Sequence, residues 1–230
     1  GNYCDVDAIA SIARKHGLKL LYDAAHVFGA TLNGQSAAAF GDAAMFSFHA
    51  TKVFHTIEGG AVVCNSGELA EKLRLERNFG ITGPETTVSV GGNAKMNEFQ
   101  AAMGLCNLRH LDEEIQKRRE LCALYRAGLA GVPGIRLCPA REGSNAAYMP
   151  VLFDGFRKTR DEVFAALAAR DIHARKYFYP ITSAFECYAG RFDPGLTPAA
   201  LRASQTVLTL PLYADLSPED VRRICGIILA

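Results

Sequence analysis

The sequence predicts an α/β protein with a smaller α+β unit behind it. Three observations predict this. Helix-like and strand-like segments alternate with tight joins through the first half, the rhythm of a mainly parallel sheet. Polar residues, Asp23 and Ser47, close two of the apolar strand-like runs, at the edge where open α/β sheets receive ligands. From about residue 135 the pattern changes to a compact set of short strands and helices. We place the boundary near Val132 to Gly134, giving expected domains 1–132 and 133–230.

The elements follow in order. "CDVDAIASIARKHG" reads as a helix that Asp5 or Asp7 can cap, with Ile9, Ile12 and Ala13 on one face and Gly17 closing it. "LKLLYDAA", "AAMFSFHA" and "GGAVVCN" read as three apolar strands. "GELAEKLRLERNFG" is a helix closed by Gly80, and "ITGPETTVSVGGNA" is a loop. One long helix is expected from about Asn97 to Leu129, with Phe99, Ala102, Met103, Leu105, Leu108, Leu111 and Ile115 forming a single buried stripe. After the break at "GVPGIRLC", strands are expected in "AYMPVLFDG", "IHARKYFYP" and "TVLTLPLY". Helices are expected in "TRDEVFAALAARD" and "SPEDVRRICGIIL", the last with proline at its first position.

Composition bounds the function. Of 230 residues, 49% are hydrophobic and 21% charged, enough for a real core. A net charge of +1 gives no footprint for nucleic acid and no attraction to a membrane surface. No apolar run approaches the roughly 18 residues of a membrane span. The seven cysteines are spread singly without a CxxC pair, which points to a reducing compartment, the cytoplasm, and against a zinc site. The chain opens on Gly1 and enters a helix almost at once, so it reads as a piece of a longer protein.

The stretch "SFHATKVFHTIEGGAVV" poses the chemical question, because it puts Lys52 where a strand leaves the core. On position alone such a lysine is solvated. Asp23 alone is a turn or cap residue as readily as a functional one. Together, at the ends of neighbouring strands, they have a joint use. A pyridine cofactor with an aldehyde needs an amine to hold it and a carboxylate to keep its ring nitrogen protonated. The same amine, once free, can move a substrate proton. Ser47 is placed to hold a phosphate, although a serine capping a turn is the plainer reading. His26 is placed to meet a ring hydroxyl, although a lone histidine is more often structural. Ala24 and Ala25 leave room for a flat ring, and Gly59 and Gly60 allow a sharp turn. A P-loop is excluded because no glycine-rich run precedes Lys52. Metal chemistry is not expected, because His49 and His55 lack carboxylate or cysteine companions at ligand spacing.

"DAAHVFGA", "FGDAAMFSFHATKVFHTIEGGAVV" and "GGNAKMNEFQAAMG" together resemble the DegT/DnrJ/EryC1/StrS family of sugar aminotransferases. The resemblance spans essentially the whole chain. It implies the fold of aspartate-aminotransferase-like pyridoxal-phosphate enzymes, with a partial large domain and a small C-terminal domain. It implies that Lys52 forms the Schiff base with pyridoxal 5'-phosphate, that Asp23 pairs the pyridine nitrogen, that His26 and Ala25 lie against the ring, and that Ser47 binds the phosphate. Asn93 would reach the phosphate of the cofactor in the other subunit, which implies a homodimer with shared sites.

Some relatives carry histidine in place of this lysine and are dehydratases, so Lys52 favours transamination. The implied substrate is a nucleotide-linked 4-keto-6-deoxyhexose, on dTDP, with glutamate as amino donor, in polysaccharide or deoxyaminosugar synthesis. Tyr177 and Tyr179 are candidates to meet its phosphates, or half-core aromatics of a strand. Amination at the 3-position, a UDP-linked sugar, and a truncated scaffold without activity are the rival readings. The family also carries an N-terminal segment that this sequence lacks.

Overall fold

The computed structural model describes residues Gly1–Ala230, in two compact units. The first comprises Gly1–Ile115 with Arg141–Ala147, and the second Gln116–Ala140 with Tyr148–Ala230. The change of unit falls inside a helix rather than at residues 132–134.

In the first unit, α1 (Val6–Lys15) begins at Asp5, whose carboxylate accepts the Ala8 N–H at 3.0 Å, while Asp7 sits in the first turn. This follows from the need of the first helical N–H groups for an acceptor. Strand β1 (Leu21–Asp23) comes next, then a two-residue hairpin of β2 (Thr31–Leu32) and β3 (Gln35–Ser36). Asn33 and Gly34 turn that hairpin, both at positive φ. An Asn-Gly pair is the strongest short hairpin signal, so this feature was open to sequence reading and was missed.

Strands β4 (Ala43–Ser47) and β5 (Gly60–Cys64) complete a sheet of order β1-β4-β5. β1 and β4 are parallel, pairing Leu21 with Ala43 and Asp23 with Met45, while β5 joins antiparallel with Ser47 opposite Gly60. The core beneath one face gathers Ala24, Val27, Ala44, Phe46, Phe48 and Phe54. Phe28 stacks on Phe54 at 4.5 Å and meets Phe46 and Phe48 edge-on. The other face carries Leu21, Met45 and Val62, all exposed.

Helix α2 (Gly67–Glu76), capped by Ser66, and the small hairpin of β6 (Ile81–Gly83) and β7 (Thr86–Thr87) lead to the helical stretch. That stretch is two helices, not one: α3 (Glu98–Leu108) and α4 (Leu111–Leu129), separated at Arg109–His110. Asn97 caps α3 through a capping box with Gln100. The expected single stripe does not hold. Only Gly104 of α3 is buried, while Phe99, Leu105 and Leu108 are exposed, and the buried run resumes at Ile115. Ile12 of α1 is likewise exposed.

The second unit takes the rest of α4 and a three-stranded antiparallel sheet, β8 (Ile135–Leu137), β9 (Met149–Phe153) and β10 (Val207–Leu210), in the order β10-β9-β8. Helices α5 (Arg160–Ala168), α6 (Pro198–Thr206) and α7 (Pro218–Leu229) complete it. Thr159 and Glu162 form a capping box on α5, and Ser217 caps α7 with Pro218 in its first turn. Leu121, Tyr125 and Leu129 of α4 pack with Met149, Val151, Val163, Leu208 and Val221 in one core. "IHARKYFYP" is not a strand. Its backbone joins the sheet only through a bridge of Arg175 to Thr209, and the peptide bonds Tyr177–Phe178 and Tyr179–Pro180 that follow are cis. No helix is long and apolar enough to cross a membrane.

Burial sets unequal sensitivities. Leu129 is fully buried and Ile12 is 57% exposed. Leu129→Ala is expected to cost about 2–5 kcal/mol through lost transfer energy and the cavity left behind. Ile12→Ala is expected to stay within about 0.5 kcal/mol. Urea unfolding midpoints at constant m-value measure both.

Candidate functional site

The parallel register of β1 and β4 brings Asp23 and Ser47 to the same edge of the sheet. Beyond Asp23 the chain turns at once. The Ala24 N–H donates to Met45 O at 2.8 Å, and Asp23 Oδ1 accepts the Ala25 N–H at 3.0 Å. An aspartate that bonds the backbone two residues on closes a turn of this kind. The turn carries His26 back towards the 48–59 loop.

That loop is tied at its base by Phe48 N–H to Gly59 O (2.8 Å) and by Thr56 N–H to Phe48 O (2.9 Å). Thr56 is buried, and its hydroxyl donates to Glu58 O at 2.7 Å. Gly59 is required here, because a Cβ would stand 2.3 Å from Thr56 Oγ1. Within the loop Lys52 N–H donates to His49 O at 2.9 Å, closing a turn from which the lysine side chain extends.

Lys52 Nζ lies 3.1 Å from His26 Nε2, and both residues are half-buried. Burial, and next the Lys52 charge, hold the His26 imidazole below its ordinary pKa, with Asp23 opposing. The imidazole is therefore neutral at pH 7. In the neutral tautomer that carries its proton on Nδ1, Nε2 accepts a hydrogen bond from Lys52 Nζ. His26 lies in the field of both Lys52 and Asp23, and it links the two halves of the site.

Ser47 is half-buried, and its Oγ accepts the His49 N–H at 3.4 Å. Asp23 and Ser47 thus both make the turn bonds that their plainer readings foresee, at one edge of the sheet. The small cavity lined by Tyr3, Tyr22, Asp23, Ala37 and Phe40 does not include Lys52 or Ser47.

Asn93 sits apart, exposed, in the stretch after β7. A bridge to Asn78 and the bonds Gly92 N–H to Glu76 O and Ala94 N–H to Arg77 O hold it there. Tyr177 and Tyr179 belong to the second unit. Tyr177 is half-buried and takes a bond from Arg175, while Tyr179 is 51% exposed with its ring under the buried guanidinium of Arg160 at 4.7 Å.

Sequence reasoning missed Asn145. It is 1% exposed, and its side-chain amide donates to His26 O and Phe28 O, each at 2.9 Å. It therefore fixes the backbone that presents His26. An asparagine in a polar loop carries no signal for such a role.

The depressed His26 pKa ties stability to pH. In the unfolded chain the imidazole takes a proton near its ordinary value of 6.5, whereas the folded chain resists it to lower pH. The unfolded state binds more protons in that window, so this contribution is present above about pH 6.5 and is lost as pH falls through the folded value. His26→Gln is expected to flatten the difference between urea midpoints at pH 7.5 and pH 5.5. An unchanged difference places the pH dependence elsewhere.

A carboxylate and a hydroxyl at one sheet edge, with an amine–imidazole pair in the loops that leave it, form a donor set that suits an aldehyde-bearing pyridine phosphate. Comparison with known proteins points the same way. The chain is 40% identical over 231 residues to dTDP-4-amino-4,6-dideoxy-D-glucose transaminase of Shigella dysenteriae, covering 99% of this chain and 63% of that protein. It is 38% identical over 236 residues to the Escherichia coli protein of the same name, covering 98% of this chain and 62% of that protein. The structure of Streptomyces venezuelae DesV in complex with a ketimine intermediate superposes with a TM-score of 0.91 at 33% identity, covering 99% of this chain and 62% of that one. The chain thus spans about three-fifths of the length of these relatives. Residues 1–229 match the family model itself, and the chain belongs to the DegT/DnrJ/EryC1/StrS aminotransferase family.

Proposed function

We propose that this chain carries the amine-bearing half of a pyridoxal-phosphate site in a sugar-nucleotide aminotransferase. The observation that carries the reading is the Lys52–His26 contact of 3.1 Å at the strand edge that also holds Asp23 and Ser47. Pyridoxal phosphate, when bound, supplies an aldehyde for the amino group and a protonated ring that draws in electrons as a substrate proton leaves.

The protein's part is positional and acid–base. Lys52 would hold the aldehyde covalently and, when released, would take and return the substrate proton at Nζ. Neutral His26 accepts from Nζ and so orients it. The Asp23 carboxylate would keep the ring nitrogen protonated by its opposite charge. Ala24 and Ala25, with their small side chains, would leave room for a flat ring against the turn. The Ser47 hydroxyl would hold the phosphate.

The substrate in this reading is a nucleotide-linked 4-keto-6-deoxyhexose, dTDP-4-dehydro-6-deoxyglucose, with glutamate as donor and a role in polysaccharide or deoxyaminosugar synthesis. The names of the Shigella and Escherichia relatives support the sugar and the nucleotide. Tyr177 and Tyr179 would face its phosphates. Exposed Asn93 supports a homodimer in which that side chain serves the other subunit's cofactor, and the free cysteines suit the cytoplasm.

Two experiments test the reading. Incubation with pyridoxal phosphate, borohydride reduction and peptide mapping should place the label on Lys52, and Lys52→Ala should abolish it. Label on other lysines alone removes the assignment. In the protein at the full length of its relatives, Asp23→Asn should still take up cofactor at Lys52 but lose about 10²–10³-fold in turnover. Wild-type turnover would refute the role given to Asp23. Analysis of the aminated sugar then separates the 4-position from the 3-position.

A further inference from the structure

The Lys52–His26 contact joins two arms of the chain, the turn over residues 24–30 and the 48–59 loop. On each arm an aromatic ring follows the polar residue by two positions. Phe28 follows His26, Phe54 follows Lys52, and the two rings stack at 4.5 Å. The arms therefore meet through a polar pair and a ring pair. Ring stacking tolerates offset, so on its own it leaves the polar pair room to drift.

Each arm is also held by an asparagine from a distant segment. The two protons of Asn145 Nδ2 go to His26 O and Phe28 O, each at 2.9 Å, while Oδ1 accepts the Ala147 N–H at 3.2 Å. That accepted bond fixes which end of the amide faces the two carbonyls. Asn107 Nδ2 donates to His55 O at 2.9 Å, next to Phe54. Asn107 stands on α3, three residues after Gly104 and so on the same face. There α3 lies close against the loop, because a Cβ on Gly104 would come within 2.9 Å of Thr56 Cγ2 and 3.7 Å of Phe54 Cζ. Both asparagines belong to the first unit. They lie 119 and 52 residues from the histidines they hold, so neither bond follows from local turn geometry.

We propose that Asn145 and Asn107 are positioning residues for the Lys52–His26 pair, each fixing the backbone of one arm and together setting the distance between amine and imidazole. Asn145 is 1% exposed, so water does not replace its amide and the bonds are unfavourable to break. The inference rests on the aminotransferase reading for what the pair does. An amine held in one place offers an aldehyde one direction of approach, and a misplacement of about 1 Å costs up to about 10²-fold in rate.

The His26 imidazole reports this geometry without any cofactor. Burial, then Lys52, then the Gly1 amino group lower its pKa, and Asp23 opposes them. An arm that moves away exposes the ring or withdraws the Lys52 charge, and either change raises the pKa towards its ordinary value. NMR titration of His26 in the 230-residue chain tests the proposal, with pyridoxal-phosphate labelling and borohydride reduction run in parallel. Asn145→Ala and Asn107→Ala are each expected to raise the His26 pKa and to lower the preference of the label for Lys52 over exposed Lys72 about tenfold. Asn107→Gln, which keeps an amide on a longer stem, is expected to fall between. Asn65→Ala removes a bond to Gly41 O away from both arms and is expected to change neither reading.

A purely structural asparagine would lower the urea midpoint and leave the His26 pKa of the folded protein where it is. An unchanged His26 pKa in folded Asn145→Ala and Asn107→Ala therefore overturns the proposal. If alanine at the buried Asn145 position prevents folding, Asn107→Ala, at a half-buried position and losing one bond, decides alone. A raised pKa in the variants without label on Lys52 in the wild type would remove the aminotransferase reading and leave the positioning role standing.

Discussion

The parallel pairing of β1 with β4 is the constraint on which the candidate site depends. Its register sets Asp23 beside Met45 and lets the Ala24 N–H reach Met45 O, so both strands release the chain at one edge. The turn after β1 then has little freedom, since its first N–H groups are taken by Met45 and by the Asp23 carboxylate itself. His26 arrives beside the 48–59 loop as a result. A slip of one residue would turn Asp23 and His26 to the wrong faces. The Lys52–His26 contact is thus a product of strand register, long before any cofactor is considered.

The 48–59 loop shows how the rest is held. Its two ends are bonded to each other, Thr56 fills its interior, and Gly59 permits the close approach. Lys52 therefore projects from a braced loop, which limits the positions its amine can sample. The second unit reaches the same end by other means. Arg160, almost wholly buried, spans Ser204 O and Val207 O and lies over Tyr179, which stabilises the irregular chain after Arg175. Rigid supports of this kind set how well a site is preorganised.

What could be read in the sequence was local. Capping residues Asp5, Ser66, Thr159 and Ser217 mark helix starts by the chemistry of orphan N–H groups, and each observed cap fits that rule. The placing of Asp23 and Ser47 at one sheet edge was legible because each closes an apolar run that reads as a strand. The break between α3 and α4 was not legible, because Arg109 and His110 are ordinary helical residues. Nor was the exposure of Phe99 and Leu105, because periodicity shows which residues share a face and not whether anything covers it. "IHARKYFYP" has the aromatic content of a strand, and only the proline at its end signals otherwise. Asn145 was hidden because its partners lie 117 and 119 residues away.

Asn145 also bears on how the protein comes off the ribosome. Residues 141–147 return to the first unit after the chain has already entered the second, so the polypeptide passes between the units at 115/116, 140/141 and 147/148. The carbonyls of His26 and Phe28 lack the Asn145 amide until that stretch has been synthesised and has left the exit tunnel. The first unit cannot finish folding as a simple N-terminal module. A cut at any one junction would not yield two clean domains, and an excised piece ending at residue 115 would leave those two carbonyls without their internal donor.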